Sequence, residues 1–183
     1  MTRETFTLTA PELRFASDDE ATFSGYAAVF GVSDSYGDVI APGAFKRTLA
    51  EHRAAKTAPA MFWNHDTSKV IGVWTELRED ARGLAVSGRL IRETVAGGEA
   101  YHLLKAGAVN GLSIGFRARG SKRGSDGRRN VTDIELIEIS PVPLPGQTLA
   151  RVTSVRSAGV PGAAAFLSAA SRAAHVLKGK PHA

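Results

Sequence analysis

Asn110-Gly111-Leu112-Ser113-Ile114-Gly115-Phe116 reads as a strand with one apolar face. Leu112, Ile114 and Phe116 alternate with Ser113, Gly115 and Arg117, and a period of two places successive side chains on opposite sides of a sheet. Ser113 therefore shares a face with Gly111 and Gly115, whose missing side chains leave room for a substrate or another backbone to approach the hydroxyl. Taken alone, such a serine is more often a packing or bulge position than a nucleophile. Its meaning depends on whether the chain supplies a base and a group to orient it.

Working outward, Thr94 to Ala106 has the spacing of a helix closing near Gly107, although Gly97-Gly98 weakens its start. Before it, Val70 to Leu77 and Leu84 to Leu90 form a hairpin pattern around Glu79 to Gly83. Ala60 to Asp66 is apolar and then abruptly polar, a buried strand ending where His65 emerges at the surface. Phe45, Leu49 and Arg53 recur at helical spacing after Pro42, which suits a first helical turn, and this helix is expected to run to about Ala54. Thr22 to Phe30 is a strand candidate, Gly31 to Tyr36 a turn-rich loop, and Thr5 to Thr9 and Leu13 to Ala16 are short extended candidates. Downstream of the serine strand, Gly120 to Asn130 is a glycine-punctuated basic loop. Val131 to Ile139 is the last strong strand, expected to stop at Pro141, Pro143 and Pro145.

Many strands and few helices predict an α+β fold, a mostly antiparallel barrel or sandwich with peripheral helices. Residues 1–157 are expected to form the domain. Residues 158–183 turn alanine-rich, with a weakly amphipathic helical pattern from Gly162 to Leu177, and are expected to form a mobile or detachable tail.

The 183 residues suffice for one core, and 43% hydrophobic with 22% charged residues is ordinary for a globular chain. The absence of cysteine excludes disulfides and thiolate chemistry. Neither a secretory signal pattern nor a membrane-length apolar run is visible, so a soluble intracellular protein is expected. A net charge of +5 favours an acidic partner. Much of that charge is local: Lys122, Arg123, Arg128 and Arg129 cluster in the basic loop, with no aromatic residue to stack on a base, which reads first as a solvated hairpin tip.

Of five histidines, His52 lies in a charged helical stretch and His182 near the end, both expected to be exposed. His65 follows Phe62-Trp63, so a rigid strand holds its imidazole at an edge; it serves there as a structural or capping residue or as a base. Glu138 alternates with Ile134 and Leu136, and a carboxylate on an aliphatic face needs a partner, be it an imidazole, an arginine or water. Serine, imidazole and carboxylate together define acyl transfer, in which the base takes the hydroxyl proton and the acid fixes the tautomer. Gly111-x-Ser113-x-Gly115 also matches the nucleophile elbow of α/β-hydrolases, but that motif needs a helix after the serine and a histidine downstream, and here a strand and loop follow.

Five blocks in order carry a family resemblance: Phe23-Ser24-Gly25-Tyr26-Ala27-Ala28-Val29-Phe30, Asp38-Val39-Ile40-Ala41-Pro42-Gly43-Ala44-Phe45, Trp63-Asn64-His65-Asp66, Gly111-Leu112-Ser113-Ile114-Gly115-Phe116 and Leu136-Ile137-Glu138-Ile139-Ser140-Pro141-Val142. From Phe23 to Ala150 the chain resembles the prohead proteases of tailed bacteriophages, and the joint occurrence is specific where each block alone is weak. The resemblance implies a β-barrel of herpesvirus-assemblin type surrounded by a few helices. It implies a serine endopeptidase that removes the scaffolding part of the major capsid protein or a separate scaffold, and as often in this family cuts itself, inside the immature capsid in the host bacterial cytoplasm. By the family pattern Ser113 is the nucleophile, His65 the general base and Glu138 the third member. The herpesvirus relatives use a second histidine there, which keeps His102 as the alternative. The implied chemistry calls for no cofactor or metal. The implied partners are the capsid protein with its scaffolding segment and further copies of the chain, with no membrane and no specific nucleic acid. Phage, prophage and gene transfer agent are equally compatible origins, and the tail would tether the enzyme to scaffold before being cut away. Two other classes compete: a catalytically silent assembly barrel that binds capsid subunits, and a nucleic-acid-binding barrel using Lys122 to Arg129.

Overall fold

The computed structural model describes residues 21–156. Eight strands and two helices follow in the order β1 (Thr22–Val29), β2 (Asp38–Ile40), α1 (Lys46–Ala55), β3 (Ala60–Trp63), β4 (Asp66–Glu79), β5 (Gly83–Leu90), α2 (Val95–Lys105), β6 (Gly111–Arg123), β7 (Arg129–Val142) and β8 (Val152–Arg156). The predominance of strands with two helices is the α+β class expected from the sequence. The extended candidates before residue 21, the tail helix at 162–177 and the domain limit at 157 lie outside the described residues.

All strands belong to one sheet in the order β2-β7-β3-β4-β5-β1-β8, with β6 along the other edge of β7. Pairing is antiparallel except where β2 and β3 run parallel to the two ends of β7. The sheet curls until its ends approach. The Leu112 N–H donates to the Ala150 carbonyl at 3.0 Å and the Val152 N–H to the Asn110 carbonyl at 2.8 Å, so the start of β8 touches the start of β6. Phe23, Ile71, Leu84, Leu90, Leu112, Ile134 and Ile139 fill the interior, and each such side chain contributes about 1.5–3 kcal/mol on leaving water. Phe23 meets Trp74 edge to face with centroids 5.5 Å apart, a favoured geometry for aromatic quadrupoles. Helix α1 packs on β4 and β7, and α2 on β4 and β5.

Several local expectations shift. Pro42 does not open the helix. Gly43, at φ +93, holds a turn there and α1 begins at Lys46. The Glu79 carboxylate holds that turn, since it accepts the N–H groups of Gly43 at 2.8 Å and Phe45 at 3.0 Å from across the fold. For α2, the Thr94 hydroxyl accepts the Gly97 N–H at 3.0 Å, an N-cap that offsets the weak Gly97-Gly98 start. β7 runs through Pro141, because that position faces Leu112, whose N–H is directed away to Ala150, and the ladder there asks no donor of the proline. The basic loop shrinks to residues 124–128, since β6 reaches Arg123 and β7 starts at Arg129. No local sequence pattern marks β2 or β8. Both are short and take their place from partners distant in sequence.

Candidate active site

The connection between β3 and β4 consists of Asn64 and His65 alone, at φ +52 and +63, between the paired residues Trp63 and Asp66. A two-residue hairpin with both residues left-handed is a type I′ turn, which favours asparagine first and glycine second. Histidine in the glycine position costs about 1 kcal/mol of backbone strain, yet the turn is anchored. The Asn64 N–H donates to the Pro141 carbonyl at 3.2 Å and the His65 N–H to the Ser140 hydroxyl at 3.2 Å. The imidazole is fixed at one side and open at the other, with the side chain 43% exposed.

Behind it stands Glu138, 7% exposed. Its Oε1 lies 2.6 Å from His65 Nδ1, and its Oε2 accepts the Ser140 hydroxyl at 2.6 Å. A carboxylate only accepts, so Nδ1–H is the donor, and in a neutral imidazole that arrangement leaves the Nε2 lone pair free. The aliphatic face expected for Glu138 is corrected by a bulge. Gly115 pairs with Glu138, but the adjacent Phe116 pairs with Leu136, so β7 carries one extra residue, Ile137, at this point. β6 is regular at this point, so its neighbours Gly115 and Phe116 point to opposite faces; Leu136 therefore goes with Phe116 to the core, and Glu138 goes with Gly115 to the other face. Ser113 pairs with Ser140 and shares that face. Gly115 is what lets the carboxylate lie down there: a Cβ at 115 would sit 2.4 Å from Glu138 Oε1.

Ser113 is half-exposed, and its hydroxyl has no hydrogen-bond partner among the described residues. The structure thus joins His65 to Glu138 directly and relates Ser113 to them by register. The serine also lines a cavity of about 410 Å³ between β1 and β6, with Ala27, Ala28, Ile114 and Phe116 in its wall and Asp34 and Tyr36 at its rim. Asp38 and Arg129 close one side as a bidentate pair, Arg129 Nε donating to Oδ1 at 2.7 Å and Nη2 to Oδ2. The Asp38 hydrogen bonds, and then its charge, raise the guanidinium pKa above its ordinary value.

His102 stands apart on α2, edge-on to Tyr101 at 5.4 Å, lining a different depression with Arg92 and Glu93. His52 is half-buried instead of exposed and ties α1 to β7 through Nε2 and the Leu136 carbonyl at 3.2 Å. Of the basic cluster, Arg129 is held by Asp38 and Arg128 lies 3.7 Å from Asp126. No group of acidic and histidine residues among those described has the arrangement of a metal site, and none of the described helices is long and apolar enough to cross a membrane. Sequence reasoning passed over Ser140, although its position two residues from Glu138 places both on one face.

The sequence pattern of the family described as caudovirus prohead serine protease matches residues 6–160. The chain is similar to the prohead protease of Enterobacteria phage HK97, 39% identical over 115 residues that cover 62% of this chain and 50% of that protein. It is similar to the capsid polyprotein of Pseudomonas phage PAJU2, 31% identical over 155 residues, 80% of this chain and 22% of that protein. The chain thus spans half the length of the first relative and less of the second. Among solved structures the bacteriophage T4 capsid assembly protease superposes with a TM-score of 0.56 at 11% identity, over 66% of this chain and 80% of that one, a likeness of fold.

Proposed function

Because the chain belongs to the caudovirus prohead serine protease family, we propose that it is a serine endopeptidase of capsid maturation. It cleaves the scaffolding part of a major capsid protein, and itself, within the prohead in the host cytoplasm. Ser113 Oγ attacks the peptide carbonyl and passes its proton to His65 Nε2. Glu138 holds the tautomer through Nδ1 and stabilises the imidazolium. The imidazolium then protonates the departing amine, and water hydrolyses the acyl-serine ester by the same route. The observation that carries this reading is the 2.6 Å bond from His65 Nδ1 to a carboxylate whose cross-strand neighbour, Gly115, lies two residues from Ser113. That bond favours Glu138 over His102 as third member, since His102 stands on α2 beside Tyr101. A capsid partner is supported by the name of the PAJU2 relative, a capsid polyprotein. A barrel of herpesvirus-assemblin type is the finer fold within this proposal, supported by the curl that brings β8 onto β6. So are self-association and a C-terminal tail, residues 158–183, that tethers the enzyme to scaffold.

Intact-mass spectrometry of the purified chain beside Ser113→Ala and His65→Ala, concentrated near neutral pH or co-produced with the capsid protein, tests the proposal. The unaltered chain is expected to lose a fragment or to shorten the capsid protein, and both variants to leave everything whole. Equal processing by Ser113→Ala would overturn it.

A further inference from the structure

We propose that Ser140 is a positioning residue of this site, one hydroxyl that fixes both the base and the carboxylate behind it; the proposal rests on the assignment of Ser113, His65 and Glu138 above. Ser140 is fully buried. Its Oγ touches two groups, the Glu138 Oε2 at 2.6 Å and the His65 N–H at 3.2 Å. The chemistry of those groups forces the direction of each bond. A backbone N–H only donates, so it takes a lone pair of the hydroxyl, and the single hydroxyl proton is free for the carboxylate.

Two consequences follow from this division. Glu138 has one oxygen committed to the imidazole and the other to Ser140, so the plane of the carboxylate cannot turn about its last side-chain bond. The His65 backbone, held in a left-handed conformation that histidine does not favour, gains a buried acceptor for its N–H. Ser140 is also the cross-strand partner of Ser113. One residue therefore sets the register of the nucleophile, the backbone of the base and the rotation of the acid. A hydroxyl present only to satisfy buried polarity would not need both of its bonds to end on groups of the site. Alanine here leaves Oε2 and the His65 N–H unpaired, and the imidazole then samples orientations in which Nε2 misses the serine.

The test uses the full chain and diisopropyl fluorophosphate, which needs no knowledge of the peptide substrate. Ser113 Oγ forms the bond to phosphorus, fluoride leaves, and the hydroxyl proton passes to His65. Adduct formation is followed by intact mass, the Nδ1–H proton by its low-field NMR resonance, and folding by thermal melting. Ser140→Ala is expected to slow labelling by about tenfold or more, the size usual when an outer hydrogen-bond partner of a site is lost, and to broaden or shift the Nδ1–H resonance. Ser140→Thr, which keeps the hydroxyl, is expected to restore both. Ser140→Cys keeps the volume with a weaker donor and is expected to behave like alanine, so a poorly folding alanine variant does not end the test. Labelling of a folded Ser140→Ala or Ser140→Cys chain at the unaltered rate, or slow labelling with an unchanged Nδ1–H resonance, overturns the positioning role. Labelling that persists in Ser113→Ala, or none in the unaltered chain, overturns instead the catalytic assignment on which it rests, and the role of Ser140 with it.

Discussion

Replacing Gly115 by alanine is the sharpest perturbation of the proposed mechanism, because it adds one methyl group and removes no functional atom. The added Cβ would lie 2.4 Å from Glu138 Oε1, 2.8 Å from its Cγ and 2.9 Å from its Cδ. A carbon beside a carboxylate oxygen settles at about 3.3 Å, so Oε1 must retreat by roughly 0.9 Å. The bond it makes to His65 Nδ1 is 2.6 Å long, and a displacement of that size along it ends near 3.5 Å, beyond hydrogen-bonding range. Misplacement of a catalytic group by about 1 Å costs on the order of a hundredfold in rate. Overpacking costs about 1–3 kcal/mol of stability, a fall in Tm of about 2–4 °C per kcal/mol for a chain of this size. Gly120→Ala is the control: it lies on the same strand, where the new Cβ meets Thr132 Oγ1 at 3.1 Å and Asp133 Cβ at 3.2 Å, away from the carboxylate. The rate of Ser113 phosphorylation by diisopropyl fluorophosphate and self-cleavage are the assays, each at a temperature where both variants are folded. A Gly115→Ala chain within twofold of the unaltered rate would refute the coupling of Glu138 to the base.

Three further expectations rest on independent features. Arg129→Met leaves the buried Asp38 carboxylate without its bidentate partner and is expected to lower stability by about 1–3 kcal/mol in urea unfolding; an unchanged midpoint would mean that the pair does not hold β2 to β7. Partial burial pushes the Asp80 carboxyl up, but the N–H groups of Arg82 and Gly83, the Tyr26 hydroxyl and the Arg78 charge outweigh it and hold the pKa below the ordinary value. A carboxyl lowered on folding gives stability that is complete above its unfolded pKa of about 3.9 and is lost as pH falls through the folded one. The urea midpoint of Asp80→Asn is therefore expected below that of the unaltered chain from pH 7 to about pH 5, the two converging at lower pH; a gap that widens on acidification would contradict the sign. A chain cut to residues 1–157 is expected to keep Ser113 reactivity but to enter proheads poorly when co-produced with capsid protein, and normal incorporation would remove the tether from the proposal.

How much of this was legible in the sequence follows from the range of the interactions involved. The faces of β6 and the hairpin of β4 and β5 are written in alternation within single segments, so Leu112, Ile114 and Phe116 point where their pattern says. β2 and β8 are three and five residues long. Each exists because a distant strand offers it an edge, and no local pattern announces that. The type I′ turn was half legible: asparagine in its first position is the ordinary choice, and histidine in the position that glycine favours is the departure that marks His65.

The bulge at Ile137 is the instructive case. Strict alternation places Glu138 on the core face beside Ile134 and Leu136, where an unpartnered charge is costly. The extra residue moves Glu138 to the face of Gly115, Ser113 and Ser140 while leaving Ile134 and Leu136 inside. The need for a partner survives for a different reason: the carboxylate stays buried by lying over a glycine, under the hairpin that carries His65. A single insertion in register thus lets one strand give aliphatics to the core and, two residues later, an acid to the site. The glycine opposite is the complementary half of that device, which is why one methyl group at position 115 is expected to undo it.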